Sequence, residues 1–287
     1  MGIVLILLSV GCSVLLANLL KLGELRRYSI LNVLTVNYAV AFSSALVLNV
    51  RNEVSLWPDF PLWFWFFCAF IGFIFIANFF LFSRSVHQNG LGVSIAAMRM
   101  SLLLPLLLAV VLYGEALTLS RVTGILLVFG ALYLLISGRV KLRLTQVSSA
   151  GLLLLIFIFS GTADASLKIF EEEMSAVASE AHLMSAIFFF SLLIGIATSL
   201  RQGQLQQLSR SEVMLGAGVG IPNLFSSVFL IQAFAWYDAS VVYAVVNMLV
   251  VAGGALTGYL FWKDDITRKE LAGIALALAA ILLLVVF

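Results

Sequence analysis

The chain has 287 residues, of which 63% are hydrophobic and only 10% are charged. Soluble domains carry about 25% charged residues and could not hide so much apolar surface from water, so a soluble globular fold is excluded. The formal net charge of +2 is too small to indicate a nucleic-acid partner.

Apolar runs of about 20 residues recur along the chain, which is the length of a membrane-spanning helix and not of a barrel strand. A helix satisfies its own backbone hydrogen bonds in lipid. We therefore predict an all-α integral membrane protein with ten transmembrane helices, the first retained because it lacks a signal-peptide pattern. The predicted helices are 2–20, 29–49, 61–82, 92–112, 119–137, 150–169, 181–200, 213–235, 238–261 and 268–286.

The loops between these helices predict the orientation in the membrane. Counting from the loop after the first helix, the odd-numbered loops hold twelve Lys and Arg residues and the even-numbered loops hold three. Because cytoplasmic loops are rich in basic residues, we expect the odd loops in the cytoplasm and both termini outside. No Asn-x-Ser/Thr sequon occurs, which favours a bacterial inner membrane.

An internal repeat divides the chain. Tyr113–Thr118 followed by Gly124 aligns with Trp262–Thr267 followed by Gly273, at an offset of 149 residues. Aromatic, acidic, Thr and Gly positions all coincide, and both stretches join two apolar helices.

The predicted halves, 1–144 and 145–287, each contain five helices and together form one membrane unit. Five is odd, so the second half enters the membrane from the opposite side. Such inverted repeats are a common way to build an alternating-access transporter. The alternative is an old duplication without a mechanical role.

At these residues the sequence resembles the EamA branch of the drug/metabolite transporter (DMT) superfamily. The residues that carry the resemblance are Pro105, Gly114, Glu115, Ala116, Leu117, Thr118 and Gly124 in the first half and Asp264, Thr267 and Gly273 in the second. The resemblance covers the whole chain and implies a solute carrier, since relatives export or exchange amino acids, metabolites, nucleotide sugars or drugs. Small multidrug relatives carry a proton-binding Glu where this chain has Ser13 and Ser160, so coupling through such a Glu is not implied.

Two charged residues lie inside predicted helices, where an ionisable group suggests a function. Arg99 would face a central cavity and pair with a carboxylate or phosphate of the solute, or would snorkel to the cytoplasmic face. Asp164 would carry a proton or bind a solute amine, or would be neutralised by Lys168 one turn away. From their positions along the helices, a direct Arg99–Asp164 bridge is not expected unless one of the helices is broken.

Several other residues are candidates for the pathway. Lys21 and Lys168 are predicted to end helices 1 and 6, either as interface anchors or as charges at the two pathway mouths. Pro105 and Pro222 are predicted helix kinks. The candidate substrate-binding residues besides Arg99 and Asp164 are Asn37, Asn78, Asn223, Asn247 and Tyr243. The asparagines could instead only join helices.

These features predict a secondary transporter, not driven by ATP, that exports a small metabolite such as an amino acid or another carboxylate. The partners are the solute and membrane lipid, and coupling to a proton or counter-solute stays open. A flippase for a lipid-linked substrate is one alternative; an intramembrane enzyme or a scaffold is another. No protease or hydrolase motif, metal-ligand spacing or cofactor motif occurs, so neither catalysis nor a cofactor is expected.

Overall fold

The computed structural model describes residues 1–51, 59–89, 91–139, 149–204, 207–263 and 266–286. Within these ranges the chain folds into helices joined by turns. The helices are α1 (Gly2–Leu25), α2 (Ile30–Arg51), α3 (Leu62–Asn89), α4 (Leu91–Met100), α5 (Leu103–Val111), α6 (Leu119–Arg139), α7 (Ala150–Glu173), α8 (Glu180–Arg201), α9 (Arg210–Phe234), α10 (Ala239–Trp262) and α11 (Arg268–Val286).

The all-helical, membrane-type fold class is confirmed. Nine helical spans among the described residues are long and apolar enough to cross a membrane, and α4 and α5 count together as one of them, Val93–Val111. The remaining helix, α11, has 19 residues and carries no charged residue after Glu270. The predicted boundary between the halves, after residue 144, and Asp264 of the repeat motif lie outside the described residues.

The helices differ from the predicted ones at their ends. Helix α1 continues to Leu25, α3 to Asn89 and α7 to Glu173. Lys, Arg and Glu are good helix formers, and a helix that leaves the lipid meets water without losing its backbone hydrogen bonds. The prediction that Lys21 and Lys168 end their helices is therefore wrong, because both lie before the last turn.

Helices α2 and α8 pack against each other in opposite directions. The hydroxyl of Thr35, near the start of α2, lies 3.4 Å from that of Ser199, near the end of α8. At the other end, the Ser179 hydroxyl before α8 donates to Asn49 Oδ1, near the end of α2, at 3.1 Å. Buried residues of the two helices are spaced 150 apart in the sequence: Ala41, Ala45 and Asn49 in α2 and Ser191, Gly195 and Ser199 in α8.

Two further pairs are also antiparallel. In α6 and α11, Ser120 Oγ donates to the Leu283 carbonyl at 3.1 Å, and a Cβ on Gly273 would lie 2.8 Å from Leu135. In α1 and α9, Ser9 Oγ donates to the Ser226 carbonyl at 2.7 Å, and a Cβ on Gly23 would lie 2.8 Å from Leu215. Helix α1 also packs on α10, while α7 packs on α3, α4 and α5. The most extensive helix contacts therefore join the first half of the chain to the second.

Glycines allow the closest of these contacts. A Cβ on Gly220 of α9 would lie 2.7 Å from the Asn37 carbonyl oxygen and 2.8 Å from Val40 Cβ, both in α2. Gly11 of α1 has no such neighbour within 4 Å and faces outward. Small residues at such crossings let two helices approach in a membrane, where lipid provides no hydrophobic drive for association.

We expect Gly220→Ala and Gly11→Ala to change stability in opposite directions. Gly220→Ala forces α9 away from α2 and should cost about 1–3 kcal/mol. Gly11→Ala meets no obstacle and should add up to about 1 kcal/mol through better helix propensity. Thermal unfolding of the two purified variants in one detergent measures both effects. A melting temperature for Gly220→Ala at or above that of the unmodified protein would contradict the close packing of α9 on α2.

Candidate functional site

The fourth predicted helix is interrupted near its middle. Helix α4 ends at Met100, and α5 begins at Leu103. The interruption therefore lies between Arg99 and Pro105. Pro105 has no backbone N–H, so the Ser101 carbonyl loses its regular helical donor and instead accepts from Leu104 N at 2.9 Å. Irregular backbone inside a membrane is tolerated where it is buried or lines a wet cavity. The carbonyl end of α4, with its partial negative charge, favours the cationic Arg99 beside it.

Arg99 uses only part of its hydrogen-bonding capacity. Its Nη1 donates to Asn247 Oδ1 of α10 at 3.0 Å. Its Nε is buried and has no hydrogen-bond partner among the described residues. A buried donor without an acceptor costs about 1–3 kcal/mol, more when it is charged. The guanidinium therefore keeps one donor, Nε–H, without an acceptor in the described part of the chain, and we call this donor side the unfilled edge of Arg99.

Asp164 of α7 is the acidic counterpart of Arg99. The two opposite charges interact electrostatically, but no ion pair within 4.0 Å joins them, as the sequence predicted. Both side chains are partly exposed. We call the region of the bundle between these two charges the Arg99 recess.

Tyr243 and Asn247, one turn apart on α10, connect this recess to α7. The Tyr243 hydroxyl donates to the Asp164 backbone carbonyl at 2.5 Å, and Asn247 Nδ2 donates to the Tyr243 carbonyl at 3.2 Å. Tyr243 is buried, with its ring 5.2 Å from that of Phe234. Four predicted site residues therefore come together, with Tyr243 holding the helices and Asn247 orienting Arg99.

The other asparagines form contacts between helices. Asn223 Nδ2 of α9 donates to Asn37 Oδ1 of α2 at 3.1 Å. Ser160 Oγ of α7 donates to Asn78 Oδ1 of α3 at 3.1 Å. Ser160 lies one turn before Asp164, so the Asn78 pair is near the recess. No hydrogen bond among the described residues links the Asn37–Asn223 pair to Arg99, Asp164 or Asn247.

Pro222 lies inside α9, which stays helical on both sides of it. The helix tolerates the missing N–H, since α9 is held on both sides by α1 and α2. The two prolines thus differ: the helix is interrupted just before Pro105 and is continuous through Pro222.

Lys168 lies at the centre of a group of carboxylates. Its Nζ lies 2.8 Å from Glu171, 2.5 Å from Glu172 and 3.7 Å from Glu115. The alternative pairing with Asp164, one turn away, is not formed. Lys168 is only 5% exposed, so its ammonium is paired inside the bundle, and Asp164 is left without a neutralising lysine.

The two predicted mouth lysines have matching aromatic neighbours. Lys21 Nζ lies 4.8 Å from the ring centre of Trp262, and Lys168 Nζ lies 5.7 Å from that of Tyr113. Trp262 and Tyr113 are the first residues of the two repeated motifs. Each lysine therefore contacts the motif of the opposite half, by a cation–π interaction. Burial raises the pKa of the Tyr113 phenol above its usual value, and the neighbouring Glu173 carboxylate raises it further.

Glu115 has a role that the sequence did not predict. It follows Gly114, whose φ of 67° favours glycine, in the loop between α5 and α6. Its two carboxylate oxygens accept from the backbone N–H groups of Ala239 at 2.8 Å and Ser240 at 3.0 Å. These are the first residues of α10, and a carboxylate there satisfies orphan donors and the helix dipole. Glu115 thereby fixes the helix that carries Tyr243 and Asn247.

Glu212 performs a similar task at the other end of the bundle. It forms a capping box with Ser209 at the start of α9, and its Oε1 accepts from Ser29 N at 2.7 Å. Its Oε2 also accepts from Asn32 Nδ2 at 3.3 Å. One carboxylate therefore joins the first turns of α2 and α9, and these bonds explain its burial without a role in binding.

The fold defines a multi-span helical protein of integral-membrane type. No family model matches the chain. An uncharacterized protein from Haemophilus influenzae is 27% identical over 286 residues, covering 96% of this chain and 95% of the relative. A solved crystal structure of a protein matches with a TM-score of 0.75 at 12% identity, covering 97% of this chain and 96% of that one. The latter likeness shows the fold alone.

Proposed function

We propose that the protein is a secondary transporter that moves a small carboxylate-bearing metabolite, such as an amino acid, by alternating access. The observation that carries this proposal is the unfilled edge of Arg99. A carboxylate can accept from Nε and a terminal nitrogen of one guanidinium at the same time, in two parallel hydrogen bonds. A buried guanidinium that is held in place but not filled is therefore suited to a carboxylate that comes and goes.

The relation between the halves supports alternating access. Helices α2 and α8, and likewise α6 and α11, occupy equivalent places in the two proposed repeats and pack antiparallel. The Lys21–Trp262 and Lys168–Tyr113 contacts are equivalent as well. These pairs fit two inverted five-helix repeats related by an axis in the membrane plane. Such an arrangement has two related conformations, one open to each side.

The site belongs to the region where the repeats meet. Under the 149-residue offset, Arg99 corresponds to Met248 and Asn247 to Met98, so the Arg99–Asn247 hydrogen bond joins nearly equivalent positions. A contact between equivalent positions lies close to the symmetry axis, and hence near the bilayer midplane. Inverted-repeat transporters bind their solutes there, often beside interrupted helices such as the α4–α5 pair.

The same proposal includes membership of the EamA-type transporters of the DMT superfamily. It also includes export of the solute, a location in the bacterial inner membrane and both chain termini on the outer side of that membrane. The Tyr113–Thr118 motif supports the proposed membership through Glu115, which anchors the site helix α10. Arg99 would take the solute carboxylate and Asp164 a solute amine. A simple carboxylate would need Arg99 alone.

An exchange assay with Asp164→Asn tests the proposal and separates these two solute types. Purified protein in proteoliposomes, preloaded with one unlabelled solute, is assayed for uptake of labelled amino acids and of labelled monocarboxylates and dicarboxylates. For a zwitterionic solute we expect Asp164→Asn to reduce exchange by about 10- to 100-fold, because the amine loses a desolvated charge partner worth about 1.5–3 kcal/mol. For a simple carboxylate, exchange should be unchanged or faster.

The control for this assay is Asp59→Asn, which removes an exposed carboxylate before α3. It should leave exchange unchanged. Vesicles that carry a fluorescent lipid-linked sugar test the flippase alternative in the same preparation. If the protein moved that lipid and exchanged no carboxylate or amino acid, the transport of a soluble metabolite would be ruled out.

A further inference from the structure

A groove lies between α3 and α8, apart from the recess at Arg99. It has a volume of about 340 Å³ and is lined by Phe73, Ile76, Ala77, Phe80, Ile194 and Thr198. Its far end is at Gln202. Phe73 and Phe80 are both exposed on the outside of the bundle, so the groove faces the lipid.

The groove lies on one side of a close contact between two parallel helices, α3 and α8. A Cβ on Gly72 would lie 2.8 Å from the Ile187 carbonyl oxygen, and Ser191 Oγ donates to the Gly72 carbonyl at 3.0 Å. Beyond this contact the small Ala77 stands between two large phenylalanines. The walls there are apolar apart from the Thr198 hydroxyl, which donates to its own helix at the Ile194 carbonyl at 2.8 Å. Such a surface fits a hydrocarbon chain.

Two arginines lie beyond the open end of the groove. Arg84 follows Phe80 by four residues, which places it on the same side of α3, and Arg201 is the last residue of α8. Both are exposed. Arg84 lies about 18 Å along α3 from Gly72, where the two helices touch. Arg201 lies about 17 Å along α8 from Phe190, which is beside the same contact. The two cations therefore lie at the same level.

That level is where lipid headgroups begin. Helix α8 has 22 residues, so its midpoint falls at Phe190 and Ser191. Arg201 is about 15 Å from this midpoint, which equals half the thickness of the hydrocarbon core. A lipid whose chain occupied the groove would hold its phosphate beside both arginines.

We propose that the groove between α3 and α8 binds an anionic phospholipid, with one acyl chain against Ala77 and the phosphate paired with Arg84 and Arg201. The charge of the two arginines selects an anionic headgroup, and the separated helices select a chain. Basic pockets between membrane helices are known to bind such lipids. This site is separate from the Arg99 recess, so the inference does not depend on transport.

Native mass spectrometry of the full chain in detergent tests the charge part of the proposal. Phosphatidylglycerol is titrated against phosphatidylcholine with the same acyl chains. We expect the unmodified protein to bind phosphatidylglycerol more tightly than phosphatidylcholine. The double variant Arg84→Gln, Arg201→Gln should bind phosphatidylglycerol about 25-fold more weakly than the unmodified protein, because each arginine contributes about fivefold. The control is the double variant Arg26→Gln, Arg51→Gln, which removes two exposed arginines at the ends of α1 and α2. Its affinity for phosphatidylglycerol should be unchanged.

Ala77→Phe tests the acyl-chain part. It fills the groove and should displace phosphatidylglycerol, whereas Ala272→Phe, on the exposed side of α11, should not. Equal binding of the two lipids, or an unchanged affinity in the arginine variant, would overturn the proposal. So would full binding by Ala77→Phe, which would indicate a headgroup adsorbed without its chain.

Discussion

Arg99→Met is expected to lower solute exchange in proteoliposomes by about 150- to 5,000-fold. Removing one partner of a buried charge pair costs about 3–5 kcal/mol, because the other charge stays desolvated and unpaired. Here the partner left behind would be the solute carboxylate, beside Asp164 of like charge. The same substitution removes only one described hydrogen bond from the protein itself, that to Asn247. Folding should therefore survive while binding fails.

Two further variants separate charge from geometry in this prediction. Arg99→Lys keeps the positive charge but loses the planar pair of donors, so exchange should fall by about tenfold. Arg51→Met makes the same deletion at an exposed helix end and should have no effect. Initial rates of labelled-solute uptake, together with melting temperatures, distinguish lost binding from lost folding. Normal exchange by folded Arg99→Met would remove Arg99 from the site.

Glu115→Ala should give the largest loss of stability among carboxylate substitutions in the loops. It leaves the Ala239 and Ser240 N–H groups at the start of α10 without acceptors, and it removes one carboxylate from the buried Lys168. Hydrogen bonds to a charged group contribute about 1.5–3 kcal/mol each and a helix cap about 1 kcal/mol. We expect the melting temperature to fall by roughly 5–10 °C.

The Glu115 prediction has a graded control. Glu115→Gln keeps one acceptor oxygen and should lose about half as much stability. Glu24→Ala removes an exposed carboxylate near the end of α1 and should change the melting temperature by about 1 °C or less. Unfolding is followed by the fluorescence of a thiol-reactive dye in a Cys12→Ser background, because Cys68 is buried in the folded protein whereas Cys12 is partly exposed. Equal stability of Glu115→Ala and Glu24→Ala would show that the cap at α10 is unimportant.

The apolar runs predicted which segments are helical, because in lipid a single segment can satisfy its backbone hydrogen bonds only by forming a helix. They could not predict where the helices end. In water beyond the hydrocarbon core, helix propensity decides, and Lys21 and Lys168 lie on helices that continue past them. Pro105 indicated a disturbed helix, but the interruption falls at Ser101 and Leu102, because the carbonyl four residues before a proline loses its donor.

The site was partly predictable, because a charge in lipid is costly and therefore stands out in a sequence. Arg99 and Asp164 were selected as candidates in this way, and their role in binding stays a prediction. Glu115 was not, since a carboxylate in a loop does not reveal which distant helix begins beside it. Glu212 could have been found from the spacing Ser209-x-x-Glu212, which is a capping-box signature. The Asn37–Asn223 contact depends on which helices are neighbours, and one sequence without the fold leaves that open.

Helices of the first half of the chain pack mainly on helices of the second half, and this has a consequence for biogenesis. Helices α1, α2 and α6 find their main partners in α9, α8 and α11, all of which are made later. Individual helices insert stably before they associate. The early helices would therefore wait in the bilayer with unsatisfied polar faces, such as the Asn37 side of α2, until translation is nearly complete. A membrane chaperone, or rapid synthesis of the remaining chain, would shorten that exposure.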